Sequence, residues 1–359
     1  MDRTHTSIGL LADPGLPRRI AEREAARLRV DLERDVDPSV DWRIDVSEQT
    51  LPLDEHGEIP LLARAGEFKQ QGGWGILIYL TDLPRAIGDE PMVCELSTSS
   101  RAALVSLPAL GPWRVGARTR KLLVPLVDGL NGTGERPSAA RTRQAIGGGE
   151  PVRRDDIGPD DVTYMTRSGR WNSLRLLAGM VRGNRPGRLL GALAKCMAAA
   201  VASGAFGIFF ATIWSMADSL SPLRLAVISV AAIALLTFWL IRSNDLWSRS
   251  GASVVPGRVL LDNVATLITV TLAVVLLYAV LYLVLLAGAV LIITTEYLAS
   301  QLGHDVDFRD YLQLTWLAAS LGTVAGALGS TFDSDHAIRE ATYSRREYQR
   351  RLLAERRDE

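Results

Sequence analysis

The chain has 359 residues, 48% of them hydrophobic, and its 40 basic and 40 acidic side chains leave no formal net charge. That balance excludes a strongly basic nucleic-acid-binding domain, and the length accommodates about two domains. The average hides a division by solvent, because the apolar residues concentrate after Leu189 and the charges before Arg188 and after Asp333.

The first apolar run, Ser7 to Ala12, is short and continuous, as in a strand buried on both faces of a parallel sheet. It closes in Asp13-Pro14-Gly15-Leu16-Pro17 and is too short for a signal-peptide core, so the N-terminal domain is expected to stay in the cytoplasm. A helix follows with Ala21, Ala25, Leu28 and Leu32 on one stripe, and Pro38 stops it. Val40 to Val46 alternates apolar with charged residues, which predicts a half-exposed edge strand. Leu61 to Gln71 predicts a second helix ending at Gly72-Gly73, and Trp74 to Leu80 another continuous strand, closed by Thr81-Asp82-Leu83-Pro84. Met92 to Leu96 and Ala102 to Leu107 predict a hairpin around Ser97 to Arg101, and Val115 to Leu130 a last helix.

This alternation predicts an α/β domain over residues 1–130: a mostly parallel sheet whose strand order begins 2-1-3, with a C-terminal hairpin. Such an order reverses direction between strands one and three, and ligands favour the crevice at their carboxyl ends. Asp13 and Gly15 follow strand one, and Thr81 and Asp82 follow strand three, so these four are candidate ligand-binding residues. Ser97, Ser100 and Arg101 add hydroxyls and a guanidinium suited to an anion. Ordinary turn chemistry explains the same residues, since Asp before Pro or Leu-Pro accepts local backbone N–H groups and a Ser-rich run is a common hairpin loop.

No motif names a reaction. Gly129 to Gly134 lacks the Gly-Lys-Ser/Thr ending of a phosphate-binding loop, and no Gly-x-Ser-x-Gly elbow is present. His5, His56, His304 and His336 are far apart, so no zinc constellation is expected. Cys94 and Cys196 fall in different solvents and predict no disulfide. No catalytic residue, metal ligand or cofactor is therefore assigned.

The segments Ile8 to Pro17, Gly73 to Pro84 and Arg101 to Gly111 resemble a group of uncharacterised bacterial, mainly actinobacterial, proteins that join such a domain to a membrane region. The resemblance covers most of the chain. It implies the same architecture and supplies no catalytic residues.

Residues 131–168 are rich in Gly, Pro, Arg and Asp and read as a flexible linker. Within 169–188, Trp171, Leu174, Leu177, Ala178 and Val181 share one side with Arg170, Arg175 and Arg182 nearby, as in an interfacial amphipathic helix on the cytoplasmic leaflet; an ordinary helix packed on the soluble domain has the same pattern. Residues 189–332 then carry four apolar runs: Leu189 to Met216, Leu223 to Leu240, Val264 to Thr295 and Tyr311 to Phe332. The third is roughly ten residues longer than a bilayer needs, and must tilt, kink near Gly288 or project. These runs predict an all-α four-helix transmembrane domain. Basic residues in the short flanks place both termini in the cytoplasm of a bacterial cell. Residues 333–359 predict a cytoplasmic C-terminal helix.

The spans carry no ionisable residue at mid-membrane, where one costs about 2.5–3.5 kcal/mol and marks a pathway. Small residues four apart, among them Gly204, Gly207, Gly322 and Gly326, instead predict helix packing within one bundle or in a homo-oligomer. Three functions are compatible with this pattern. The first is a cytosolic domain, anchored in the lipid bilayer, that binds a small anionic ligand or a protein partner. The others are a homo-oligomeric channel or transporter component, and an enzyme using Asp13 and Asp82 on a phosphorylated or membrane-associated substrate. Nucleic acid is not an expected partner of any of them.

Overall fold

The computed structural model describes residues 4–52, 58–87, 90–132, 151–154, 162–167, 171–184, 186–247, 256–330 and 338. The chain divides into two units, Met1–Gly183 with Ser250–Leu261 and Ser344–Glu359, and Asn184–Arg249 with Asp262–Tyr343.

The first unit is an α/β domain. Its strands are β1 (Thr4–Ala12), β2 (Val40–Glu48), β3 (Ile76–Thr81), β4 (Ala86–Ile87), β5 (Glu90–Ser97), β6 (Ala102–Ser106), β7 (Pro151–Arg154) and β8 (Val162–Arg167). Its helices are α1 (Leu16–Asp35), α2 (Leu61–Gly72), α3 (Val115–Asn131) and α4 (Asn172–Asn184), with a short 3-10 turn at Pro108–Leu110. The sheet runs β2-β1-β3-β6-β5-β8-β7, and β4 pairs with β5. β1 is parallel to β2 and β3, and β3 to β6, whereas β5 is antiparallel to β6 and β8. The order 2-1-3 and the hairpin are both present.

Central strands in such a sheet are covered on both faces, and the continuous apolar runs provide for this. Ile8, Leu10, Leu11 and Ala12 on β1 and Ile76 to Leu80 on β3 are all buried. On one face Leu11, Leu77, Tyr79, Ala102 and Leu104 pack with Leu61, Ala65 and Phe68 of α2. α2 ends at Gly73, whose left-handed φ of 66° carries the chain out of the helix. The indole of Trp74 then lies over Gly9 and Gly72, where a Cβ would come within 2.3 and 2.4 Å of its ring.

The sheet does not stop at residue 130. Val162–Arg167, inside the stretch 131–168 expected as a flexible linker, forms β8, and Pro151–Arg154 forms β7. β8 satisfies the free edge of β5, which a long central strand needs. Residues 133–150 and 155–161, and all of the expected C-terminal helix 333–359 except Ile338, lie outside the described residues.

The expected interfacial helix 169–188 is two helices, α4 and α5 (Pro186–Ala192). α4 docks on the α/β unit through Leu176, Gly179 and Met180, all buried. A Cβ on Gly179 would lie 2.3 Å from the Pro108 carbonyl oxygen, so the helix rests directly on that backbone. The opposite stripe stays open, with Trp171 and Leu174 exposed.

The second unit consists of α5, α6 (Ala194–Phe209), α7 (Ala211–Ser219), α8 (Pro222–Ser243), α9 (Pro256–Ile292), α10 (Thr295–Leu302) and α11 (Phe308–Gly329). α8, α9 and α11 are long and apolar enough to cross a membrane, and a fourth span results if the helices from Asn172 to Phe209 count as one broken crossing. The chain is a membrane protein. α9 is continuous over 37 residues, about 55 Å at ~1.5 Å per residue, against a hydrocarbon core of ~30 Å.

α6 and α11 meet through their glycines. A Cβ on Gly322 would fall 2.6 Å from the Ala200 carbonyl oxygen and 3.3 Å from the Gly204 Cα, and one on Gly326 3.1 Å from the Ala200 Cβ. On α6, a Cβ on Gly207 would meet Ala318 at 3.0 Å, and one on Gly204 the Leu285 side chain of α9 at 2.5 Å. Close backbone approach of this kind is how apolar helices associate in lipid, where burial against a neighbour gains little over burial in acyl chains.

A hydroxyl network joins three spans. Ser229 of α8, Tyr278 of α9 and Ser320 of α11 lie 3.0–3.3 Å from one another, and the Trp316 indole N–H donates to Ser229 Oγ. Ser229 donates to the Leu225 carbonyl and Ser320 to that of Trp316, so each hydroxyl proton has an acceptor inside the bundle.

Gly322→Ala is expected to destabilise the helical unit by about 1–3 kcal/mol through overpacking. Gly288→Ala, where the nearest atom to the new Cβ is 3.9 Å away, is expected to be neutral or stabilising. Thermal unfolding of both variants in one detergent measures the difference.

Candidate functional site

β2 and β3 flank β1 on opposite sides, so the crevice between the loops after β1 and β3 is the switch point of the sheet. The parallel register sets Ala12 opposite Leu80 and Thr81 opposite Ser106. Asp13, one residue beyond β1, therefore joins a polar row with Thr81 and Ser106 across three strands, and all three are fully buried.

The Asp13 backbone N–H donates to the Leu80 carbonyl at 3.0 Å, extending the ladder by one rung. Asp13 Oδ1 accepts from the Tyr79 hydroxyl at 2.6 Å, and Oδ2 from Thr81 Oγ1 at 2.7 Å. Thr81 Oγ1 in turn accepts the Leu83 N–H at 3.0 Å, while Ser106 Oγ donates to the Leu83 carbonyl at 2.7 Å. Tyr79 Oη also accepts the Leu51 N–H at 3.3 Å and lies 3.0 Å from the Gln49 carbonyl. One phenolic proton serves one acceptor at full strength, and the nearer carboxyl oxygen takes it.

These bonds fasten three loops to one point. Asp13 is a positioning residue, holding the segments after β1, β2 and β3 in fixed relation. At the rim stand Gly15 and Asp82. Gly15 has φ 96°, a region that favours glycine, and turns the chain into the N-terminus of α1, which no side chain caps. Asp82 is half-buried beside it in sequence to Thr81. Pro17 has no N–H and the Arg18 N–H donates to the Asp13 carbonyl at 3.1 Å, so what the start of α1 offers an anionic group is its positive end rather than a set of free N–H groups.

Ser97, Ser100 and Arg101 lie elsewhere. β6 runs parallel to β3, so the turn that precedes it sits at the amino edge of the sheet, a strand length of ~15 Å from Thr81. The structure thus brings Asp13, Gly15, Thr81 and Asp82 together and leaves the hairpin residues apart. Ser97 Oγ accepts the Ser100 N–H at 3.1 Å, which closes the turn. Arg101 donates to the carbonyls of Leu130 and Asn131 at 3.2 and 3.5 Å and so caps the C-terminus of α3. Lys69 donates to the Ser100 carbonyl at 2.7 Å, and burial, then the Arg101 charge, lower its affinity for a proton. This corner is built as a turn and a helix cap.

Sequence reasoning missed Tyr79, Ser106 and a buried ionic group further along the same face. Tyr79 shares its face with Thr81 by the period of two, and that was the available signal. Arg85, buried after the β3 loop, pairs with Glu95 of β5 at 2.7 Å and with Glu58. Burial pushes the Glu95 carboxyl up, and the Arg85 charge opposes the shift. The Cys94 thiol is likewise pushed up by complete burial, which makes it unreactive. Among the described residues no group of three or more His, Cys, Asp or Glu is placed to hold a metal ion.

Comparison of the chain with protein-family models, with curated proteins and with solved structures finds no significant match.

Thr81→Val strips Asp13 Oδ2 and the Leu83 N–H of a shared buried partner, and is expected to cost about 1–3 kcal/mol of folding stability. Urea titration of the α/β unit in the full chain reads that loss. A change below about 0.5 kcal/mol would show that the row does not hold the loops.

Proposed function

We propose that this chain is a membrane-anchored regulatory protein. In this reading the α/β unit recognises a small anionic ligand at the switch-point crevice, and the helical unit holds it at the inner face of a bacterial cytoplasmic membrane. Four spans with both termini in the cytoplasm fit the distribution of arginines in the flanks. The observation that carries the binding role is the row Asp13–Thr81–Ser106, which fixes the loops after β1 and β3, with Gly15 and the positive end of α1 following Asp13 directly and Asp82 following Thr81.

Two features of the helical unit support an anchor over a conduction path. The hydroxyls of Ser229, Tyr278 and Ser320 satisfy one another between α8, α9 and α11. The glycines of α6 and α11 are occupied by each other within one chain, which supports a bundle complete in one copy.

Thermal unfolding of the full chain in neutral-lipid nanodiscs, screened against nucleotides, phosphorylated metabolites, divalent metals and small dicarboxylates, tests the crevice. A ligand at about 100 times its dissociation constant adds ~2.7 kcal/mol, or about five degrees or more for a unit of this size. The shift is expected with an anionic compound that also carries a hydroxyl or amino donor for Asp82, and is expected to shrink in Asp82→Asn. If no compound in the panel shifts the wild-type chain, the ligand-binding reading is wrong.

A further inference from the structure

Four arginines with no acidic partner among the described residues gather on the α3–α4 side of the α/β unit. Arg114 and Arg118 stand one turn apart at the start of α3, and Arg175 and Arg182 lie two turns apart on α4. Gly111, with φ 82°, sits between the two helices: a Cβ there would fall 2.7 Å from Arg175 Cγ and 3.5 Å from Arg118 Nη1. Arg118 donates to the Leu110 carbonyl at 2.6 Å and Arg182 to that of Pro112, so both guanidinium groups are pinned to the loop before α3.

Nothing within the described residues neutralises this group. No ion pair involves any of the four, and Arg175 Nη1 is buried without a hydrogen-bond partner. Glu24 of α1, whose Oε1 would lie 2.9 Å from a Cβ on Gly116, is committed to Arg120 at 3.0 Å. The start of α3 adds positive potential, since it has neither a capping side chain nor an acid in its first turn. The Arg118 guanidinium is pushed down from its ordinary value, first by burial and then by the charges of Arg175 and Arg114. Converging guanidinium groups that repel one another, with a buried donor unspent, are an anion site whose anion comes from outside the unit.

The surroundings say which anion. Trp113 precedes Arg114 and is 74% exposed, and Trp171, one turn before Arg175, is also 74% exposed. Leu174 extends this apolar rim at 54% exposure. Exposed tryptophans beside arginines are the composition of a membrane–water interface, where the rings sit at headgroup level and the guanidinium groups meet phosphate. α4 also leads within a few residues into α5 and the spans. We infer that Arg114, Arg118, Arg175 and Arg182 form a phosphate site for the headgroup of an anionic phospholipid, with Trp113, Trp171 and Leu174 entering the interface around it. This site shares no residue with the row at Asp13 and does not depend on a ligand there.

Native mass spectrometry of the full-length chain in detergent, titrated with phosphatidylglycerol or phosphatidylcholine, tests the assignment. Wild type is expected to retain phosphatidylglycerol in preference, and Arg118→Gln and Arg175→Gln to retain it about tenfold less well, the effect of losing one charge-assisted hydrogen bond. Arg114→Gln, at an exposed position, is expected to weaken retention without disturbing the fold, and Arg64→Gln on α2 to leave it unchanged. Equal retention of the two lipids, or wild-type retention by Arg114→Gln and Arg175→Gln, would overturn the site. A second arm adds inorganic phosphate to the chain in phosphatidylcholine nanodiscs. Thermal stabilisation that disappears in Arg175→Gln would assign the site to a soluble phosphate and overturn the lipid.

Discussion

A helix that is apolar all round needs hydrocarbon on every face its neighbours leave open. α9 is such a helix: 22% of its most apolar stretch is fully buried inside the protein, and its exposed side chains, Leu283, Val284 and Leu291 among them, present apolar surface suited to lipid. The chain is organised around that requirement. The Ser229, Tyr278 and Ser320 hydroxyls are paired within the helical unit, because an unpaired polar group in acyl chains costs several kcal/mol. The helices that cover α9 cannot rely on the hydrophobic effect to find one another, and α6 and α11 approach instead through glycine, backbone against backbone.

The α/β unit solves the opposite problem. In water the apolar strands β1 and β3 drive burial, and the polar groups at their ends must be satisfied without it. Asp13 does this for three segments at once, through Tyr79 and Thr81. The same bonds that stabilise the end of the sheet fix the loops around the switch point, so stability and the shape of the rim are one property. The arginines on α3 and α4 are the exception, a charged group with no acidic partner among the described residues, where the unit leads toward the spans.

Much of this could be read from the chain itself. Continuous runs at Ser7 to Ala12 and Trp74 to Leu80 against the alternation at Val40 to Val46 distinguish central strands from an edge, and the order 2-1-3 follows. Asp13 and Thr81 were legible as strand-end residues for the same reason. β8 was not, because Val162–Arg167 mixes polar and apolar residues amid a Gly- and Pro-rich stretch and owes its conformation to pairing with the distant β5. Whether the hairpin residues Ser97 to Arg101 meet the crevice was not legible, because a hairpin leaves open which edge its turn occupies; the parallel pairing of β6 with β3 decides it. Nor does any periodicity connect Arg118 with Arg175, whose meeting depends on α4 docking over Pro108.

The side of the membrane on which the α/β unit lies is the point on which its proposed role as a cytoplasmic binding domain turns. Both native cysteines are buried, so single cysteines can be introduced at exposed positions without a background. Ser39→Cys before β2 and Ser300→Cys on α10 would be exposed to a membrane-impermeant maleimide in intact cells and again after lysis. A cytoplasmic α/β unit with four spans predicts labelling at position 300 in intact cells and at position 39 only after lysis. Labelling at position 39 in intact cells would place the unit outside and contradict the proposed function.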